Sequence, residues 1–140
     1  MNLGFQEGLK NQLLTYFCWS LIGGEMPIPE TIYVGLFTDT GGGEPVELIV
    51  GSKGYARVPV SFSAPINGLI RNNIQVTFPK ATGSSWGLIS HIGLFASDGV
   101  NNMDEPLKDL LVLQQLSESE EVPEGSVFEL DINAIRINLV

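Results

Sequence analysis

Cysteine, histidine and basic side chains are nearly missing from this chain. Of 140 residues, one is cysteine, one is histidine and seven are lysine or arginine. A lone Cys18 closes no internal disulfide and excludes a paired-thiolate zinc site. A lone His91 has no second imidazole to share a metal with. Seven scattered cations against sixteen carboxylates, a net charge of −9, line no groove that tracks phosphates. That excludes nucleic acid as a partner and disfavours an anionic membrane surface. No apolar run reaches the about 18 residues of a membrane-spanning helix. The opening MNLGFQEGLK lacks a basic segment followed by an apolar core, so the expectation is a chain that folds in a cytoplasm. Charge of either sign is scarce as well, at 16% of residues against about 25% in an average soluble protein. A surface that poor in charge is expected to be covered in part by partner chains.

What is present is extended, apolar chain. WGLISHIGLFA (86–96) runs eleven residues without a charge or a proline. In an extended chain Trp86, Leu88, Ile92 and Leu94 point one way and Ile89, His91 and Phe95 the other. Both faces are apolar, which predicts a strand covered on both sides near the middle of a sheet. TIYVGLFT (31–38) is a second strand, with Ile32, Val34 and Leu36 on one face, Tyr33 and Phe37 on the other, and Gly35 leaving room for a neighbour. A third is expected over 55–62, where Pro59 lacks an amide donor and so belongs at an edge or beside a bulge. Further strands are expected around Ile74, Val76 and Phe78, over 107–116, and over 127–140. In the last, Phe128, Leu130 and Ile132 fall one residue out of phase with Ile135, Ile137 and Leu139, which predicts a bend near Asn133 that carries the chain between sheets.

The one helical pattern lies at 3–22. Phe5, Leu9, Leu13, Tyr16, Phe17 and Leu21 recur at spacings of three and four, and Gly23 and Gly24 end the run. The fold expected is therefore mainly β: an N-terminal α-helix (1–24), then an antiparallel β-sandwich of about seven strands (25–140), in one compact domain.

Three stretches invite a chemical reading, and the residues around each argue against it. Gly83-Ser84-Ser85-Trp86-Gly87 has the spacing of an esterase nucleophile turn, but that turn must lead into a helix, and here it leads into a strand. Gly41-Gly42-Gly43 is followed by Glu44 and Pro45, which repel a phosphate. The acidic SESEEVPEG (117–125) reads as a solvated loop, its carboxylates poorly spaced for calcium. No catalytic, cofactor-binding or metal-binding residues are assigned, and the chain is expected not to be an enzyme. The residues proposed for contact with partners are Phe5, Leu9, Leu13 and Phe17 on the helix stripe. Tyr55 and Arg57 join them, sharing one side of the 55–62 strand where aromatic and arginine anchors are favoured.

Taken in order, Tyr33-Val34-Gly35-Leu36-Phe37-Thr38, Gly54-Tyr55-Ala56-Arg57, Asn73 before Val76-Thr77-Phe78, Trp86-Gly87 and His91-Ile92-Gly93-Leu94-Phe95 form a series. With the N-terminal helix pattern, this series resembles small tailed-bacteriophage virion proteins of the tail-fibre type. The chain departs from that pattern after Phe95, where Ala96 and Ser97 precede Asp98, and in a longer loop over 41–54. The resemblance implies a structural virion component made in the host bacterial cytoplasm. It would be a tail-fibre, baseplate or collar subunit, or alternatively a capsid decoration protein. It would assemble as a homo-oligomer, a trimer by preference, and with other virion proteins. The rival from another class is a sandwich that binds host glycans through Trp19, Trp86, Tyr33 and Tyr55. It is the weaker reading because Trp86 is expected to be buried and Trp19 lies in the helix pattern.

Overall fold

The computed structural model describes residues 3–5, 31–39, 43–64, 66–67 and 69–138, and its central apolar stretch is a strand flanked by strands on both sides. In chain order the strands are β1 (Leu3–Phe5), β2 (Ile32–Thr38), β3 (Val46–Glu47), β4 (Val58–Val60), β5 (Leu69–Arg71), β6 (Val76–Thr77), β7 (Gly87–Phe95), β8 (Leu110–Val122), β9 (Glu129–Leu130) and β10 (Arg136–Asn138). Six form one sheet in the order β1-β8-β7-β2, with β3 and β4 sharing the far edge of β2. Two short ladders, β5 with β10 and β6 with β9, complete the fold, and every pairing is antiparallel.

The two short ladders cover one face of the sheet. Val34, Leu36, Ile92, Leu94 and Val112 from the sheet share one apolar cluster with Val76, Phe78, Phe128, Leu130, Ile135 and Ile137 from the ladders and their flanks. The opposite face holds a smaller cluster of Phe37, Phe95 and Leu110, flanked by Tyr33 and Leu113. β2 and β7 are thus apolar on both faces because both faces are covered. Gly35 sits opposite Gly93 across the β2–β7 pair. A Cβ on Gly35 would stand 2.6 Å from Phe95 Cε2, and one on Gly93 would stand 2.6 Å from Phe37 Cε1. The two glycines let the stacked Phe37 and Phe95 rings, 5.9 Å apart, lie flat on the sheet.

The mainly β, antiparallel expectation holds, and Pro59 does lie on an edge strand, since among the described residues β4 pairs with β2 alone. Four details differ. Leu3–Phe5, expected to open the helix, is strand β1 on the edge of β8; Gly4 is a poor helix former and costs a first turn about 1 kcal/mol. The rest of the expected helix, with Leu9, Leu13 and Phe17, lies outside the described residues. The acidic stretch read as a loop is strand: β8 continues to Val122, with Glu120 and Glu121 paired to Ile89 and Leu88. The alternation in β7 is broken at Ser90, where the register shifts on both sides. One extra residue inverts the faces, so Ile89 joins the core with Ile92 while Leu88 is half exposed. Finally, the bend near Asn133 exists, with Asn133 at φ 69°, and moves the chain from the β6 ladder to the β5 ladder. Ile132 falls outside the core at that bend.

Candidate functional site

The sheet edge has a gap. β3 leaves β2 after Glu47, and β4 rejoins β2 at Val58–Val60, opposite Ile32–Val34. Between these pairings the backbone of Leu36 would lack partners, and a buried unpaired amide is costly. The intervening chain folds back to supply them. Leu48 N–H donates to Leu36 O at 3.0 Å, and Leu36 N–H donates to the Tyr55 hydroxyl at 3.0 Å.

That hydroxyl is one member of a buried polar cluster. Tyr55 donates its proton to Glu47 Oε2 at 2.7 Å. Arg57 grips the same carboxylate with two bonds, Nε to Oε2 and Nη2 to Oε1, each 2.7 Å. The remaining guanidinium donors reach the 96–109 connection, Nη1 to Ser97 O at 3.2 Å and Nη2 to Pro106 O at 2.9 Å. The guanidinium carbon lies 3.4 Å from the centroid of the Phe95 ring, a cation–π contact. Gly99, at φ 79°, passes so close that a Cβ there would stand 2.7 Å from Arg57 Cζ. One arginine therefore ties β3, β7 and the β7–β8 connection together.

A second polar device holds the two ladders. Asn72 is fully buried. Its side-chain amide donates to Ile74 O at 2.8 Å and to Asp131 O at 2.9 Å, and its side-chain oxygen accepts Ile135 N–H at 2.8 Å. The backbone of Asn72 adds a bond to Ile135 O and accepts one from Asn133. Asn72 is thus the pin at the point where β9 hands over to β10.

The residues singled out in the sequence are placed as follows. Tyr55 and Arg57 share a side, as expected, but that side is the interior. Neither offers surface to a partner, because both are engaged with Glu47. Trp86 is buried, its indole N–H donating to Lys53 O at 2.8 Å and its ring edge-on to Tyr55 at 5.7 Å. Ser85 is a turn residue: its hydroxyl donates to Val122 O and accepts Gly87 N–H, each at 3.0 Å. His91 bonds through Nδ1 to Ser90 Oγ at 2.8 Å. Partial burial pushes its imidazole down in pKa, against an opposing pull from Asp39. Phe5 pairs through its backbone with Val112. Sequence reasoning missed Glu47 and Asn72. Glu47 sits in a glycine-rich, acidic loop where a carboxylate reads as solvated, and Asn72 stands beside the Asn73 that seemed more telling.

Tyr55 carries a pH prediction. Burial, reinforced by Glu47, pushes its phenol far above the ordinary range. A group whose folded pKa is raised contributes stability that is complete below its unfolded pKa, about 10 for tyrosine, and declines as the pH climbs beyond it. The native chain should therefore lose stability above about pH 10. Tyr55→Phe should lose about 1–3 kcal/mol at neutral pH, from the orphaned Leu36 amide and the loss of one of the donors to the Glu47 carboxylate, and show a shallower alkaline decline. Urea denaturation across that pH range is the measurement. An unchanged alkaline slope in the variant would contradict the assignment.

Among the described residues every buried side-chain nitrogen and oxygen has a partner. No group of three or more His, Cys, Asp or Glu is placed among them to hold a metal, and no helix among them is long and apolar enough to cross a membrane. Residues 5–138 match the family described as Podophage GP4 fiber I protein gp80, and the chain belongs to that family. It is thereby a phage fibre-type structural protein and a component of the virion. No curated protein matches the chain.

Proposed function

We propose that the chain is a non-enzymatic subunit of a fibre on the phage tail, assembled as a homo-oligomer, a trimer by preference, and joined to other virion proteins. The match over 5–138 to a fibre family carries this reading. Surface chemistry supports the assembly: Ile49 and Ile66 are each 70% exposed, and Val100, Ile132, Met103 and Val46 are more than half exposed. Apolar surface of this kind gains roughly 25 cal/mol per Å² when covered, before association costs. Within residues 1–24 the part that follows β1 is the proposed docking element, with Leu9, Leu13 and Phe17 meeting the next copy and Phe5 beside them at the end of β1, while 25–140 fold as the body that β1 pairs with. Synthesis would take place in the host cytoplasm.

Two measurements test this. Light scattering on the full chain across a wide concentration range should give the mass of three copies; a monomer throughout removes self-assembly. Gold-labelled antibody on intact virions should decorate the tail. Label over the head would instead favour a capsid decoration protein.

A further inference from the structure

Four of the seven basic residues are lysines, which leaves three arginines, and Arg57 is buried on Glu47. The other two, Arg71 and Arg136, sit directly opposite each other in the β5–β10 ladder. Like charges in directly facing positions destabilise a sheet, and a chain of net charge −9 has carboxylates enough to avoid the pairing. Ile70 and Ile137 pack on the core, so by alternation Arg71 and Arg136 lie on the outer face of the ladder. Arg136 Nε donates to the nearby Asn133 O at 3.1 Å, and the Arg71 guanidinium has no hydrogen bond or ion pair among the described residues. Arg71 lines an open cleft of about 520 Å³ with Ser63, Ile66, Asn67 and Asn133.

The complementary feature is on the same chain. Residues 117–121 of β8, Ser-Glu-Ser-Glu-Glu, are exposed at every position. A strand normally buries one face, and this one buries neither. Its outer edge is open as well, since β1 reaches only Val112–Gln114 among the described residues. Glu118 stands in a bulge, residues 116–119 facing Ser90 alone, and Glu120 follows where pairing to Ile89 resumes; both side chains are exposed. Among the described residues β10 likewise pairs with β5 alone, and none of them pairs with its outer edge. The two features leave the sheet at opposite ends. The hairpin bearing Arg71 continues β4 past the start of β2, whereas Glu120 pairs with Ile89 opposite Thr38, where β2 finishes. They do not meet within one chain.

We propose that the Arg71–Arg136 pair receives the acidic half of β8 from a second copy of this chain. Carboxylates of Glu118 and Glu120 occupy the cleft, and the open edge of β8 lies along β10. Because the surfaces differ and lie at opposite ends, the contact is head-to-tail: it closes a ring such as a trimer when the rotation allows, and otherwise runs on as a filament. This rests on the homo-oligomer reading above and deepens it.

The test uses the full chain by light scattering and sedimentation. Arg71→Glu with Arg136→Glu should weaken association about 100-fold or more, since like charges then face each other. Glu118→Lys with Glu120→Lys, at exposed positions that leave the fold intact, should do the same. Combining all four should restore the native mass. Association of the native chain should also weaken as salt rises from about 0.05 to about 0.5 M. If the native chain is oligomeric and both reversals leave its mass unchanged, this interface is wrong while the oligomer reading stands. If the native chain is monomeric throughout, both fall.

Discussion

Arg57→Ala should lower the stability of the chain by about 3–5 kcal/mol, the cost of removing one partner from a buried ion pair. Both side chains of the pair are essentially out of water, at 0% and 2% exposure, so solvent does not screen the loss. The substitution strands the Glu47 carboxylate inside the sheet edge with Tyr55 as its one remaining donor. It also frees Ser97 O and Pro106 O and removes the cation from the Phe95 ring. A domain of this size holds about 5–15 kcal/mol in all, so the variant should stand near the limit of folding. Urea denaturation at fixed protein concentration should show a lower midpoint with an unchanged slope. The paired change Glu47→Gln with Arg57→Met should cost clearly less than Glu47→Gln and Arg57→Met made singly and added together, because no lone charge is left behind. Strict additivity in that cycle would show that the two side chains act independently.

The same cluster shows where sequence reasoning reached and where it stopped. β2 and β7 were legible because an apolar run covered on two faces is dictated by local composition, and the Gly35 gap by the large residues around it. Pro59 announced an edge because its missing amide is a local fact. The phase slip near Asn133 was visible for the same reason. Glu47 and Arg57 were not, because their burial depends on one another. Neither a carboxylate in a glycine-rich loop nor an arginine among aromatics indicates its interior place until β3 and β4 are laid on the same edge of β2. Ser90 hid likewise, since a bulge is a property of the paired strands, and it reversed the expected sides of Leu88 and Ile89. The acidic end of β8 misled for the opposite reason. Charge marks exposure, and exposure was read as loop, although a strand held by backbone pairing to Gly87–Ile89 and anchored by buried Val122 needs no apolar face there.

Asn72→Asp is the other substitution with a large expected effect, and its sign depends on pH. The amide nitrogen of Asn72 donates to two carbonyls, Ile74 O and Asp131 O, while its oxygen accepts from Ile135 N–H. An aspartate in that place sets an ionised oxygen against two carbonyl oxygens at full burial, with one donor in compensation. Burial and that repulsion both favour the protonated acid, so its folded pKa should rise above the unfolded value of about 4. A raised folded pKa means the penalty is small below about pH 4 and grows as the pH climbs. Near neutral pH the loss should reach about 3 kcal/mol or more, since a buried charge acts together with the loss of the donor to Ile74 O, while Asp131 O keeps the Ala134 N–H. Asn72→Ala should cost a comparable amount, from the orphaned Ile135 amide and the Ile74 carbonyl, but without the pH dependence relative to the native chain. Urea midpoints for the native chain and the two variants at about pH 4.5 and about pH 7.5 separate these cases. Should Asn72→Asp fall short of the native chain by the same amount at both pH values, the amide would not be donating to the two carbonyls, and the handover from β9 to β10 would need another explanation.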